Sequence, residues 1–159
     1  MSSSYVFTER SELDTAVDAW IDDQDAATET YGDINTWDVS EITDFSSLFR
    51  DKSTFNSDIS NWDVSNGNNF NEMFHDAFSF NQDIGSWDVS SGTNFGAMFS
   101  NADAFNQDIR SWNVGSGTNF GDMFFGADNM QNNYGFSATP TSSEFDWIAP
   151  SAPSTPDLS

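Results

Sequence analysis

Residues Phe80–Ala104 read FNQDIGSWDVSSGTNFGAMFSNADA, and this stretch nearly overlays the chain on either side when shifted by 25 positions. Trp37, Trp62, Trp87 and Trp112 keep that step, as do Asp33, Asp58, Asp83 and Asp108. The second half of the unit repeats as well, through Phe45, Phe70, Phe95 and Phe120, then Phe49, Phe74, Phe99 and Phe124. An ungapped period between about 20 and 50 residues is the mark of stacked repeats, in which no unit buries its apolar face alone. The chain therefore reads as a solenoid of four 25-residue coils.

Within a coil, Ile34-x-x-Trp37-x-Val39 and its copies match the strand segment of a leucine-rich repeat. Side chains alternate along a strand, so Trp37, Trp62, Trp87 and Trp112 point inward as the structural core and Asp38 faces out. A Ser/Asn-Gly turn follows, at Asn66-Gly67, Ser91-Gly92 and Ser116-Gly117. Phe95, Met98, Phe99 and Ala102 then fall at i, i+3, i+4 and i+7, the inner face of a short helix. Asp44, Asn69, Asn94 and Asn119 stand just before those helices, where such side chains cap exposed amides. The expected fold class is an α/β repeat solenoid, leucine-rich-repeat-like, with one short strand and one short helix per coil.

The expected organisation has three parts. Residues 1–32 form an N-terminal cap with a helix over about residues 12–22, because Leu13, Ala16, Val17, Trp20 and Ile21 share one helical face. Residues 33–129 hold the four coils. Residues 130–159 hold a degenerate coil and a tail that contains all four prolines.

The recurring Phe-Asn-Gln-Asp-Ile-x-x-Trp-Asp-Val-Ser, followed by Thr-Asn-Phe-x-x-Met-Phe-x-x-Ala-x-x-Phe, resembles the bacterial surface protein repeat of BspA-like and mycoplasma lipoprotein-like proteins. The resemblance covers about residues 31–130. It implies a surface-displayed, non-enzymatic solenoid linked to adhesion or host interaction. The chain departs from that pattern where Ile42 gives way to Gly67, Gly92 and Gly117, and where cell-surface members carry a signal peptide or lipobox.

Composition narrows the function. Twenty-six acids against four bases give a formal charge of −22. A field of that sign repels phosphate backbones and anionic head groups, which excludes nucleic-acid partners. No 18-residue apolar run is present to insert in a membrane, and Met1–Phe7 has no Sec-type leader pattern. A complete chain exported by another route, or released by lysis, is expected. Cysteine is absent, so no disulfide or thiolate metal site holds the fold. No catalytic residues are assigned. The sole histidine, His75, stands in a column with Arg50, Ser100 and Phe125, and reads as a solvated helix position.

The candidate binding surface is a polar ladder of Asp38, Asp63, Asp88 and Asn113, flanked by Ser40, Ser65 and Ser90. Calcium suits stacked carboxylates but needs six to eight oxygens, usually with turn carbonyls. A flat strand face lacks those carbonyls, so no metal and no cofactor is assigned. In the tail, Phe145, Trp147 and Ile148 form an apolar island suited to docking on a protein partner or a second copy. These features point to a virion surface component, a capsid decoration or bacteriophage tail protein. The alternative is a cell-surface or secreted adhesin module that binds protein or carbohydrate. A virion or extracellular surface is the expected location.

Overall fold

The computed structural model describes residues 4–146. Its regular elements are helical: α1 (Arg10–Asp22), α2 (Gln24–Tyr31), α3 (Asp128–Tyr134), and single 3₁₀ turns at Ile34–Thr36 and Ser142–Glu144. Among the described residues there is no strand, only isolated parallel bridges that join Asp44 to Asn69, Asn69 to Asn94, Asn94 to Asn119, and Val6 to Asp38. The expected α/β coil, with one strand and one helix per repeat, is therefore corrected. Both halves of each coil are built from turns.

The expected strand fails because its aspartate turns the chain. Asp63 Oδ1 accepts a hydrogen bond from the Ser65 amide at 3.0 Å, and Asp88 Oδ1 accepts from Ser90 at 3.0 Å. Gly67 and Gly92 then donate to Val64 and Val89 carbonyls at 2.8 Å. Such local bonds offer the backbone an alternative to a ladder.

The expected helix fails because Ser47 and Asp51, Glu72 and Asp76, and Ala97 and Asn101 take left-handed backbone angles, with φ between 51° and 62°. A right-handed helix cannot pass through those positions. Instead the amides alternate. Phe45, Ser47, Phe49 and Asp51 each donate at 2.9 Å to Asn69, Asn71, Met73 and His75 of the next coil. Between them, Leu48, Arg50 and Lys52 donate back to Phe45, Ser47 and Phe49 of their own coil. The same pattern recurs from Phe70 and from Phe95. This segment, and not the tryptophan segment, carries the backbone contacts between coils.

Stacking fills the interior with columns of like rings. Phe45, Phe70, Phe95 and Phe120 stack at centroid spacings of 5.6 Å. Phe49, Phe74, Phe99 and Phe124 stack at 5.4, 5.5 and 5.7 Å. Phe55, Phe80 and Phe105 make a third column at 5.9 and 5.8 Å. Burying a large apolar side chain contributes about 1.5–3 kcal/mol, and ten phenylalanines of these columns are buried. Gly67 and Gly92 make room for them: a Cβ on Gly92 would lie 2.5 Å from Phe95 Cζ and 3.1 Å from Phe70 Cε2. Ile42, at the same place in the first coil, is buried.

Both ends of the described chain are covered. Helix α1 begins two residues before the segment expected from the sequence and buries Leu13, Ala16, Val17 and Trp20. Ser11 and Asp14, which have the spacing of a weak capping box, lie inside α1, where Asp14 pairs with Arg10 at 2.8 Å. Helix α2 starts on Asp23, whose side chain accepts from the Ala26 amide, and stops at Gly32 with φ 77°. Trp20, Phe7 and Tyr31 converge on Trp37 at centroid distances of 6.0, 5.1 and 5.7 Å. At the other end Phe136 stacks on Phe124 at 4.4 Å and meets Phe145 at 4.9 Å.

Candidate functional site

The side chains of the polar ladder make local bonds. Asp38 Oδ1 accepts from both the amide and the hydroxyl of Ser40, at 2.9 and 2.6 Å. Asp63 and Asp88 repeat the arrangement with Ser65 and Ser90, whose hydroxyls donate at 2.5 Å. Asn113 accepts from the Gly115 amide at 3.0 Å. The serines that flank the ladder are thus partners of their own aspartates, not an independent row of ligands.

Two further columns follow the same rule. Asp33, Asp58, Asp83 and Asp108 accept from the amides of Asn35, Ser60, Gly85 and Arg110 at 2.9 to 3.1 Å. Asp44, Asn69, Asn94 and Asn119 accept from Ser46, Asn71, Gly96 and Gly121 at 2.9 to 3.0 Å. The helix caps expected at these last residues have no helix to cap, and the same side chains close turns instead. Three corners per coil are pinned by one device, a side-chain oxygen bonded to the amide two residues on.

Charge and hydrogen bonding act together at two of these groups. The Ser40 hydroxyl, then the Ser40 amide, hold the Asp38 carboxyl below the usual carboxylate value of 3.8, with partial burial opposing them. The Arg110 guanidinium and amide do the same for Asp108. In return Asp108 raises Arg110, whose Nε and Nη2 each lie 3.0 Å from its oxygens.

The four core tryptophans lie where they were expected, each at most 4% exposed. Their indole N–H groups carry a role that spacing did not reveal. Trp62, Trp87 and Trp112 donate to the Ile34, Ile59 and Ile84 carbonyls of the preceding coil at 2.8, 3.1 and 3.0 Å. Trp37 donates to Gly32.

Of the expected docking residues, Phe145 is buried within its own chain, 6.3 Å from Phe120 and 4.9 Å from Phe136. The Asp146 amide donates to the Arg110 carbonyl at 2.8 Å, which ties this segment to the fourth coil. Trp147 and Ile148 lie outside the described residues.

The ladder does bring together an open polar hollow at its first two steps, lined by Asn35, Thr36, Asp38, Ser40, Asn61 and Asp63. One oxygen of each of its two carboxylates is already paired with the serine two residues on. Among the described residues no helix is long and apolar enough to cross a membrane.

Neither a curated protein nor a solved structure gives a significant match to the chain. A family model, described as Mycoplasma protein of unknown function, DUF285, matches residues 23–136, which spans the second cap helix, all four coils and α3. With well over half of its 159 residues matched, the chain belongs to that family.

Proposed function

We propose that the protein is a non-enzymatic structural and binding repeat module that displays a rigid acidic face on a surface. The observation that carries this reading is the triple column of Asp and Asn corners, in which one oxygen of each side chain pins its own turn. Pinned side chains lose little further entropy when a partner contacts them, which favours binding through many repeated weak contacts. The charge of −22 selects cationic protein surfaces as partners.

Of the two settings for such a face, the adhesin reading rests on the resemblance to BspA-like repeats, and the matched Mycoplasma family, itself of unknown function, is compatible with a bacterial surface repeat protein. The virion reading, a capsid decoration or tail protein, drew on the tail as a docking arm. Phe145, one of the three docking residues, turns inward against Phe120 and Phe136, which weakens that support.

Two measurements test the proposal. Antibody labelling of intact cells that make the protein is expected to succeed without permeabilisation; labelling only after permeabilisation overturns surface display. Light scattering of the full chain beside a chain ending at Asp146 is expected to give the mass of a single chain for each. Assembly of the full chain alone would restore the tail as a docking arm and bring back the virion reading.

A further inference from the structure

The first two coils meet at a cluster of two carboxylates and the one histidine of the chain. Asp51 and Asp76 hold the same place in successive coils, and His75 precedes Asp76. The Asp51 amide donates to the His75 carbonyl at 2.9 Å, which fixes the two coils in register at this point. One ligand atom from each of Asp51, His75 and Asp76 lies within 4.8 Å of the other two. His75 Nδ1 is shut away from solvent and has no hydrogen-bond partner, although the side chain as a whole is 22% exposed. Its nearest carboxylate oxygen, Asp76 Oδ2, stands 3.4 Å away. Asp76 is held in place from behind, because Asn101 Nδ2 donates to its other oxygen at 2.9 Å.

Backbone geometry explains part of this cluster and leaves the rest. Asp51 and Asp76 take φ of 62° and 58°, and the column continues as Asn101 and Gly126. Asp, Asn and Gly are the residues that tolerate such angles, so the column is what the turn requires. His75 is not required. The same place holds Arg50, Ser100 and Phe125 in the other coils, and a buried ring nitrogen without a hydrogen-bond partner is costly.

We propose that Asp51, His75 and Asp76 bind a divalent transition ion of the zinc class, with water completing the shell. Tetrahedral ligands about 2.0–2.1 Å from zinc stand about 3.3 Å from one another, and the 3.4 Å between His75 Nδ1 and Asp76 Oδ2 matches that edge. Asp51 is exposed and closes the third side by a side-chain movement. The imidazole nitrogen selects against calcium and magnesium, which take oxygen. Asn101 plays the supporting part that orients a ligating carboxylate. Arg50 is the opposing charge: its Nε lies 3.8 Å from Asp51 Oδ2, but its Nη1 is engaged with Glu72 at 2.5 Å.

Because the chain has one histidine, its ring resonances report on this site alone. The tag-free full chain is titrated with zinc chloride at physiological salt, followed by NMR of the His75 ring and by calorimetry. One equivalent is expected to shift the ring signals. His75→Ser and Asp51→Asn are each expected to weaken binding by more than about tenfold. His75→Ser copies the residue that the next coil carries at this place, and circular dichroism checks that both variants fold. Zinc affinity unchanged in His75→Ser, displacement of zinc by an equal concentration of calcium, or no shift in the parent chain would each overturn the site; the first two outcomes mark diffuse attraction by the net charge.

Discussion

An aspartate that accepts the amide two residues ahead performs a different task from one that faces a ligand, and the two are separable by substitution. Asp88 Oδ1 serves the Ser90 amide and hydroxyl. Asparagine has the same oxygen, as Asn113 demonstrates with Gly115. Asp88→Asn is expected to leave stability within about 0.5 kcal/mol, whereas Asp88→Ala loses the turn bond and about 0.5–1.5 kcal/mol. Urea unfolding of the two variants distinguishes them. Equal effects would mean that charge, not the bond, is the working property. The pH response has a definite sign at Asp38, where the folded-state value lies below 3.8. The folded chain then binds fewer protons at this group than the unfolded chain. Its contribution is full above pH 3.8 and is lost as pH falls through the lower folded value. Relative to Asp38→Asn, the parent chain is expected to lose thermal stability over that acid window, and parallel melting curves there would contradict it. At this scale the sequence was informative about burial: Trp37, Trp62, Trp87 and Trp112 are buried, although the strand from which that was argued does not form. It did not disclose the Asp–Ser pairing, since Asp-Val-Ser alternates polar and apolar whether it forms a strand or a turn.

Between residue and molecule, the repeat unit misled on its secondary structure for a reason that the backbone makes plain. Phe95, Met98, Phe99 and Ala102 are all fully buried, at the spacing of a helical face. That spacing also arises when each second residue turns its amide to the neighbouring coil and every fourth takes a left-handed angle, as Ala97 and Asn101 do. Periodicity of burial does not separate the two. The residues after Asn69, Asn94 and Asn119 held a hint, since Gly96 and Gly121 fall inside the expected helix, where glycine costs about 1 kcal/mol. The glycine column at 67, 92 and 117 is explained only by the neighbours it meets. Gly92→Ala places a methyl group against Phe95 and Phe70 and is expected to cost about 1–3 kcal/mol by overpacking, read from the denaturation midpoint. A neutral result would mean that the rings slide freely in their column.

For the molecule as a whole, the 25-residue period was legible in the sequence, while the inward packing of Phe145 over the last coil and the direction of the bonds between coils were not. Four bases among 26 acids leave strong self-repulsion, and salt screens exposed charges beyond a Debye length of about 8–10 Å. Raising sodium chloride from low to physiological strength is expected to raise the melting temperature, by about 2–4 °C for each kcal/mol of repulsion relieved. A flat or falling response would show that the carboxylates are already compensated.

The alternating amides have an orientation. At each junction four N–H groups point toward the C-terminal coil, as from Phe70, Glu72, Phe74 and Asp76 to Asn94, Gly96, Met98 and Ser100, while Thr93 points the other way to Asn68. The first coil accordingly offers carbonyls, one of them met by Arg10 at Asp44. The fourth coil offers donors, met by the Thr139 hydroxyl and the Ala138 carbonyl. The stack is therefore vectorial, and its two faces are complementary to each other but not to themselves. Two copies stripped of their covering segments cannot close face to face about a two-fold axis, because donors would meet donors. They can join only head to tail, and an association of that kind does not terminate at two. The segments 4–31 and 136–146 cover these two faces, and a chain shortened at both ends is expected to associate head to tail.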